Sequence, residues 1–296
     1  MRLAYFTGGT AGAGHMVRGL AIWRALERSG YRGEMRMFAP VEPFAGLSSA
    51  LAPLSLTVCP TDPDVVLDPV RGPASELATA LVDFAPDLLI VDMFWAPLLY
   101  IRPLLDCEAW LIVRSCSPVW LRGTPTLKFD PTQYARVIGI EPLEHEEIRE
   151  HIEPIVICNP DEARTRAELC ERWDVDQKTW IVAISHAGLR GEIDTLLADH
   201  KANATVDDGE TLIIQSDLHD ENAIFPLAVW LPGVDQVHAV AGYNTYWESH
   251  WMGYADKSQF RVIRRKIDFP QDRVNAGLSY RMRENGADIL ARSIIG

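Results

Sequence analysis

Short apolar runs that do not alternate with polar residues recur along the whole chain. They are Leu3–Phe6, Met35–Phe38, Leu88–Val91, Trp110–Val113, Val137–Ile140, Ile155–Cys158, Trp180–Ile184, Leu212–Ile214 and Val237–Val240. A strand without a polar face is a strand covered on both sides, as in a parallel sheet with helices above and below it. Helical patterns fall between several of these runs, at Met16–Arg28, Glu76–Phe84, Glu162–Trp173 and Asn275–Asn285. Strand–helix alternation from one end to the other predicts an α/β chain with parallel sheets. A chain of 296 residues has room for two such units. The Asn159-Pro160 break, in HIEPIVICNPDEARTRAEL, suggests an N-terminal domain over 1–155 and a C-terminal one over 156–296.

Charge and cysteine content remove several function classes. Lys and Arg number 28 against 41 Asp and Glu, a net charge of −13, and no basic face is legible for nucleic acid. The short run Arg261, Arg264, Arg265, Lys266 is either a solvated edge or an attractant for an anionic acceptor. Five scattered cysteines without a C-x-x-C pair signal neither a disulfide framework nor a zinc knuckle, and suit a reducing compartment. The most prominent uncharged apolar stretch, Met93–Ile101 apart from its polar neighbours, is far short of the ~20 residues that span a bilayer. The first twenty residues lack a continuous apolar signal region. A cytoplasmic protein with no transmembrane segment is expected, and a homodimer is compatible with this composition.

The stretch TGGTAGAGHMVRGLAIWRAL, residues 7–26, carries the first chemical signal. A strand, a glycine turn and a helix N-terminus together form an anion site, because backbone N–H groups and the helix dipole point outward. The spacing Thr7, Gly8, Gly12, Gly14 matches a dinucleotide loop of short-chain dehydrogenases. Those enzymes need a tyrosine four residues before a lysine, and none of the five lysines has one. The second apolar run ends Met37-Phe38-Ala39-Pro40 without the acidic residue that would hold a ribose. His15 stands where the helix begins. The dipole there disfavours an imidazolium, so a neutral ring could take a proton at neutral pH, or the residue could simply close the first turn.

Read with its histidine, GGTAGAGHMVRGLAI resembles the N-terminal signature of GT-B glycosyltransferases, particularly the group that adds N-acetylglucosamine to the murein precursor. GAGHMVR also resembles the short GT-B-fold hydrolases of nucleotide-activated sugars, with His15 and Arg18 in the matching places. DQVHAVAGYNTYWESHWMG, residues 235–253, is similar to the donor segment of the same superfamily, a small-residue loop followed by T-x-x-E. Thr245 and Glu248 also fit a capping box, which would put Glu248 in the first helical turn. FPQDRVNAGLSYRMRENGA, residues 269–287, matches a loop with glutamine followed by N-A and a helix.

The resemblance implies two Rossmann-like domains facing across a cleft, the GT-B arrangement. It implies that Gly12, Gly14, Ser185, Gly188, Arg190, Gly242, Asn244 and Thr245 surround the donor diphosphate. Glu248 would accept the ribose hydroxyls and Gln271 those of the donor sugar, with Asn275 as a helix cap. His15 would be the base, and Arg18, Asp92 and Trp95 would lie on the acceptor side. Asp92 follows an apolar run, where α/β sheets place ligands. No cofactor and no metal are implied, the nucleotide sugar itself being substrate. Asp62-Pro63-Asp64 and Asp174-Val175-Asp176 read as turns and caps rather than as metal triplets, and VRSCSPVW contains no nucleophile elbow. The long helix that, in this superfamily, crosses back onto the first domain is expected to be missing or much reduced. The expected activity is glycosyl transfer from a nucleoside-diphosphate sugar, UDP-linked as the first expectation, to an acceptor hydroxyl. Hydrolysis of the nucleotide sugar, or binding without turnover, are the alternatives.

Overall fold

A computed structural model describes residues 1–9, 13–125, 127–142, 145–185, 191–203, 211–216, 223–263 and 268–296. Seven strands form one parallel sheet: β1 (Arg2–Thr7), β2 (Glu34–Ala39), β3 (Ser55–Val58), β4 (Leu88–Asp92), β5 (Glu108–Val113), β6 (Arg136–Gly139) and β7 (Glu150–His151). Their order is β3-β2-β1-β4-β5-β6-β7. Four more form a second parallel sheet, β8 (Trp180–Ser185), β9 (Thr211–Ser216), β10 (Gln236–Val240) and β11 (Ser258–Arg261), in the order β11-β10-β8-β9. The helices in chain order are α1 (Gly14–Arg28), α2 (Ala45–Leu51), α3 (Pro63–Val66), α4 (Glu76–Phe84), α5 (Pro118–Arg122), α6 (Arg166–Trp173), α7 (Glu192–Asn203), α8 (Tyr243–Trp251), α9 (Pro270–Gly277) and α10 (Gly286–Ile295).

The strands legible in the sequence include all the central ones and the edge strand β9. β4, Leu-Leu-Ile-Val-Asp, is buried at every position, as a doubly covered strand must be. The strands missed, β3, β7 and β11, lie at sheet edges or are only two to four residues long, and they bury only part of their surface. Ile155–Cys158, predicted as a strand, is instead a buried connection. The Ile155 N–H donates to the Tyr243 hydroxyl at 2.8 Å and the Val156 N–H to Asn285 Oδ1 at 3.2 Å, so side chains satisfy the backbone that a ladder would otherwise pair.

Helix ends follow local chemistry. Ser75 caps α4 by accepting the Ala78 N–H at 3.2 Å, and Thr165 with Glu168 forms a capping box that starts α6 four residues later than predicted. The predicted helix over 275–285 is replaced by two others. α9 ends at Gly277, where any Cβ would sit 2.1 Å from the Tyr246 hydroxyl, and α10 starts after Asn285, whose side chain accepts the Ala287 N–H at 2.9 Å. Asp62 caps α3 by accepting the Asp64 N–H, and Asp174 closes α6 in a left-handed conformation at φ 52°.

The terminal helix is present in reduced form, as the ten-residue α10. It packs on α1, burying Leu290, Ala291 and Ile294, and Asp288 meets Arg28 at 2.7 Å.

Deeper between the sheets lies an ionic cluster. Arg273 of α9 pairs with Glu141, which follows β6, and with Asp268 at 2.7 Å. Asp268 in turn meets Arg114, which follows β5, at 2.5 Å. Glu141 also accepts the Trp247 indole N–H at 2.8 Å and the Ser115 N–H at 2.6 Å. Two cations and two anions thus bridge the ends of the first sheet to the second.

Each sheet has a place where adjacent strands connect in opposite directions, which leaves a crevice at their carboxyl ends. In the first sheet it lies between β1 and β4, where Thr7 pairs with Asp92. In the second it lies between β8 and β10, beside Ser185 and the turn into α8.

Candidate functional site

The glycine turn after β1 serves a close approach. A Cβ on Gly8 would lie 2.7 Å from Cβ of Phe94, and one on Gly9 would lie 2.8 Å from Cδ2 of His15. The rings of His15 and Phe94 meet edge to face, with centroids 5.0 Å apart. Gly9→Ala is therefore expected to push the imidazole out of place, with a stability loss of about 1–3 kcal/mol from overpacking. Urea melts, with NMR of the His15 ring, check this.

His15 and Arg18 lie one helical turn apart on α1 and face the end of β4. Asp92 waits there with no exposed surface. His15 Nδ1 is 2.9 Å from Asp92 Oδ2, Arg18 Nε is 3.0 Å from Oδ2, and Arg18 Nη2 is 3.0 Å from Oδ1. The Tyr5 hydroxyl of β1 lies 2.5 Å from Oδ2 and 2.9 Å from the His15 carbonyl. Burial pushes the Asp92 carboxyl up, but Arg18 and then His15 outweigh it and hold the group well below the usual carboxylate range. Burial lowers the pKa of His15; Asp92 opposes that, and Arg18 and Arg114 add to it. The imidazole is accordingly neutral at neutral pH. The sequence placed this neutrality on the helix dipole, whereas burial is the larger cause.

Asp92 and Arg18, expected on the acceptor side, lie buried against His15. Their side chains are fully engaged with one another and cannot form an open wall. Trp95, expected beside them, is a core residue: its ring packs on Phe129 with centroids 5.4 Å apart, and its indole N–H donates to the Trp120 carbonyl at 3.3 Å.

On the opposite side, Gly242 is the residue before α8, so Tyr243, Asn244 and Thr245 are its first turn. Glu248 therefore stands in the second turn, and T-x-x-E is not a capping box. Asn244 Nδ2 donates to the Gly14 carbonyl at 3.2 Å, which brings the N-terminal ends of α1 and α8 together. Two positive dipole ends facing each other favour an anion between them. Thr245 Oγ1 lies 3.4 Å from Ser185 Oγ at the end of β8. Glu248 has no hydrogen-bond partner among the described residues, and burial alone pushes its carboxyl up to about 7. Gln271 sits in the first turn of α9, exposed, and donates to Asn275 Oδ1 at 3.0 Å; Asn275 is inside the helix rather than at a cap. Gly12, Gly188 and Arg190 lie outside the described residues, as do Arg264, Arg265 and Lys266; Arg261 pairs with Asp199.

A cavity of about 180 Å³ opens at the ends of β5 and β6, lined among others by Arg114, Ser115, Cys116, His145, Phe269 and Asp272. The sequence reading missed Tyr5, Arg114, Glu141 and Arg273. Arg114 and Glu141 carried a usable signal, since each directly follows or closely follows a buried run where α/β sheets place their ligands. No grouping of His, Cys, Asp and Glu among the described residues could hold a metal ion, and no helix among them is long and apolar enough to cross a membrane.

No protein-family description matches the chain, and no curated protein matches it by sequence. Solved structures do. The glycosyltransferase SsfS6 from Streptomyces sp. SF2575 superposes with a TM-score of 0.57 at 12% identity, over 100% of both chains. Phytolacca americana UGT2, solved with UDP-2-fluoro-glucose and pterostilbene, gives 0.54 at 14% identity, over 99% of this chain and 90% of its own. The spinosyn rhamnosyltransferase SpnG, solved with its aglycone, gives 0.54 at 16%, over 99% and 95%; a further structure of it holds thymidine diphosphate. The chain has the GT-B fold. In that fold the two sheet crevices face one another, which is the arrangement that Gly14 and Asn244 make here.

Proposed function

We propose that the chain transfers a sugar from a nucleoside-diphosphate sugar, UDP-linked in the first instance, to an acceptor hydroxyl. The observation that carries this is the neutral His15–Asp92 pair set against two convergent helix N-termini. In the proposed reaction the acceptor oxygen attacks the anomeric carbon as His15 Nε2 takes its proton. The bond from that carbon to the diphosphate oxygen breaks, and the diphosphate leaves with the electron pair, stabilised by the N–H groups of α1 and α8. Glu248 would accept both ribose hydroxyls, a match of two oxygens to two donors. The N-terminal domain over 1–155 would supply the base and the acceptor side, and 156–296 the donor side.

Hydrolysis is the second reading, and one observation favours it: the His15 side chain is only 11% exposed, and water is the smallest acceptor that could reach it. Incubation with a panel of UDP- and dTDP-sugars separates the two. Nucleotide release that requires an added acceptor supports transfer, and equal release in water alone supports hydrolysis. Binding without release under either condition would overturn both.

Glu248→Gln has a two-sided expectation. The folded carboxyl titrates near 7 against an ordinary 4.5, so the folded state binds the extra proton. Stability from this group is fully present below 4.5 and lost as the pH rises to about 7. The glutamine variant should therefore be more stable than wild type at pH 8, by about 1–3 kcal/mol, with the difference vanishing near pH 4.5. It should also bind nucleoside diphosphate about tenfold more weakly or worse, because a charged acceptor is lost. Urea melts at several pH values and calorimetric titration at pH 8 check both.

A further inference from the structure

Arg18 is 2% exposed, and its guanidinium is committed to a single carboxylate. Its fork holds both oxygens of Asp92, at 3.0 Å each, and its Cζ lies 4.8 Å from the centre of the Tyr243 ring on α8. Its Nη2 is also 2.6 Å from His15 Nδ1. A neutral imidazole carries one proton, so two arrangements are open. In one, Nδ1–H donates to Asp92 and Nε2 is bare. In the other, Nδ1 accepts from Arg18 and Nε2 carries the proton. The second sets the Nδ1 lone pair against an anionic oxygen at 2.9 Å. The first gives Nδ1–H a carboxylate acceptor; its cost is a donor beside Nη2, whose own hydrogens have both Asp92 oxygens within 3.0 Å to turn to.

We propose that Arg18 is a positioning residue: its fork fixes Asp92 so that the carboxylate orients the Nδ1–H of His15, and its charge, 2.6 Å from that ring, adds to burial in disfavouring a second proton, which leaves Nε2 free to accept one. This deepens the assignment of His15 as base and rests on it. An Asp–His pair without such a neighbour would favour the imidazolium, since the carboxylate would stand alone beside it. Here the carboxylate is already matched by a guanidinium. The charged and titratable groups that face the pair are Arg18 from α1, Asp92 from β4, Tyr5 from β1 and Arg114 after β5. From α8, Tyr243 presents a ring to Arg18.

The test is NMR titration of His15 in the full chain, with Arg18→Met and Arg18→Lys beside wild type. The methionine keeps the stem and removes the charge, so the His15 pKa is expected to rise by about one unit or more. Lysine restores the charge without the fork and should bring most of that rise back. The acid limb of the pH–rate profile should move with the NMR value. A merely structural role predicts an unchanged His15 pKa in Arg18→Met, and that result overturns the proposal. If the methionine variant does not fold, the ¹⁵N shifts of wild-type His15 decide: the Nδ1–H tautomer supports the proposal, and the Nε2–H tautomer overturns it. Because titration needs no turnover, a protein without activity still answers the question, and failure of the base assignment shows separately as a wild-type acid limb unrelated to His15.

Discussion

His15→Ala is expected to lower turnover by about 10²–10⁴-fold while leaving nucleotide-sugar binding intact. The size follows from what the ring does. In the proposed reaction its Nε2 takes the acceptor proton in the step where the new bond forms, and no other neutral base neighbours it among the described residues. Asp92 is already held as a carboxylate by Arg18, Tyr5 and His15, so it cannot substitute. The loss should appear in kcat rather than in donor affinity, because the proposed role sets the imidazole against the attacking oxygen and not the nucleotide. Asp92→Asn should cost a comparable factor, and the double variant little more, since the two residues act as one unit. Single-turnover assays with calorimetric donor titrations make the comparison. A His15→Ala enzyme that turns over at the wild-type rate would show that the base lies elsewhere.

Arg273→Met is expected to cost about 3–5 kcal/mol of folding stability at pH 7. The arginine has no exposed surface, and its removal leaves Glu141 charged and buried. Glu141 would keep the Trp247 and Ser115 N–H groups, which cannot neutralise it. Asp268 would keep Arg114. Because the pair joins the end of the first sheet to α9 beside the second, the penalty falls on the junction between them. Arg273→Met with Glu141→Gln should recover much of the loss, since a neutral amide costs far less to bury than an orphaned carboxylate. Urea denaturation of both variants distinguishes an uncompensated charge from lost packing: packing alone predicts no recovery in the double variant.

The sequence made the central architecture legible because doubly covered strands cannot hide. Leu88–Asp92 and Trp180–Ser185 have no polar face, so they read as strands before any coordinates exist. Ile155–Cys158 has the same composition and is not a strand, because apolar content reports burial and not pairing. Edge strands such as Ser258–Arg261 alternate too weakly to stand out. Within the site, His15 was visible through its place after a glycine turn. Its partnership with Asp92 was not, since residues 77 positions apart are joined only by the register of β1 against β4. Tyr5 was hidden for the same reason: nothing in a buried run of strand residues marks one hydroxyl as the neighbour of a carboxylate. The capping-box pattern at Thr245 misled in a different way. The helix starts three residues earlier, at the turn after Gly242, because the chain leaves β10 directly into α8.

The most direct test of the central claim is donor binding, measured by thermal unfolding of the whole chain with a panel of UDP- and dTDP-sugars. A ligand at about 100 times its Kd stabilises by about 2.7 kcal/mol, which raises the midpoint by a few degrees in a chain of this size. The account predicts such a rise for at least one nucleotide sugar, and a smaller rise with Glu248→Gln at the same concentration. A midpoint unmoved by every member of the panel at millimolar concentration would contradict it.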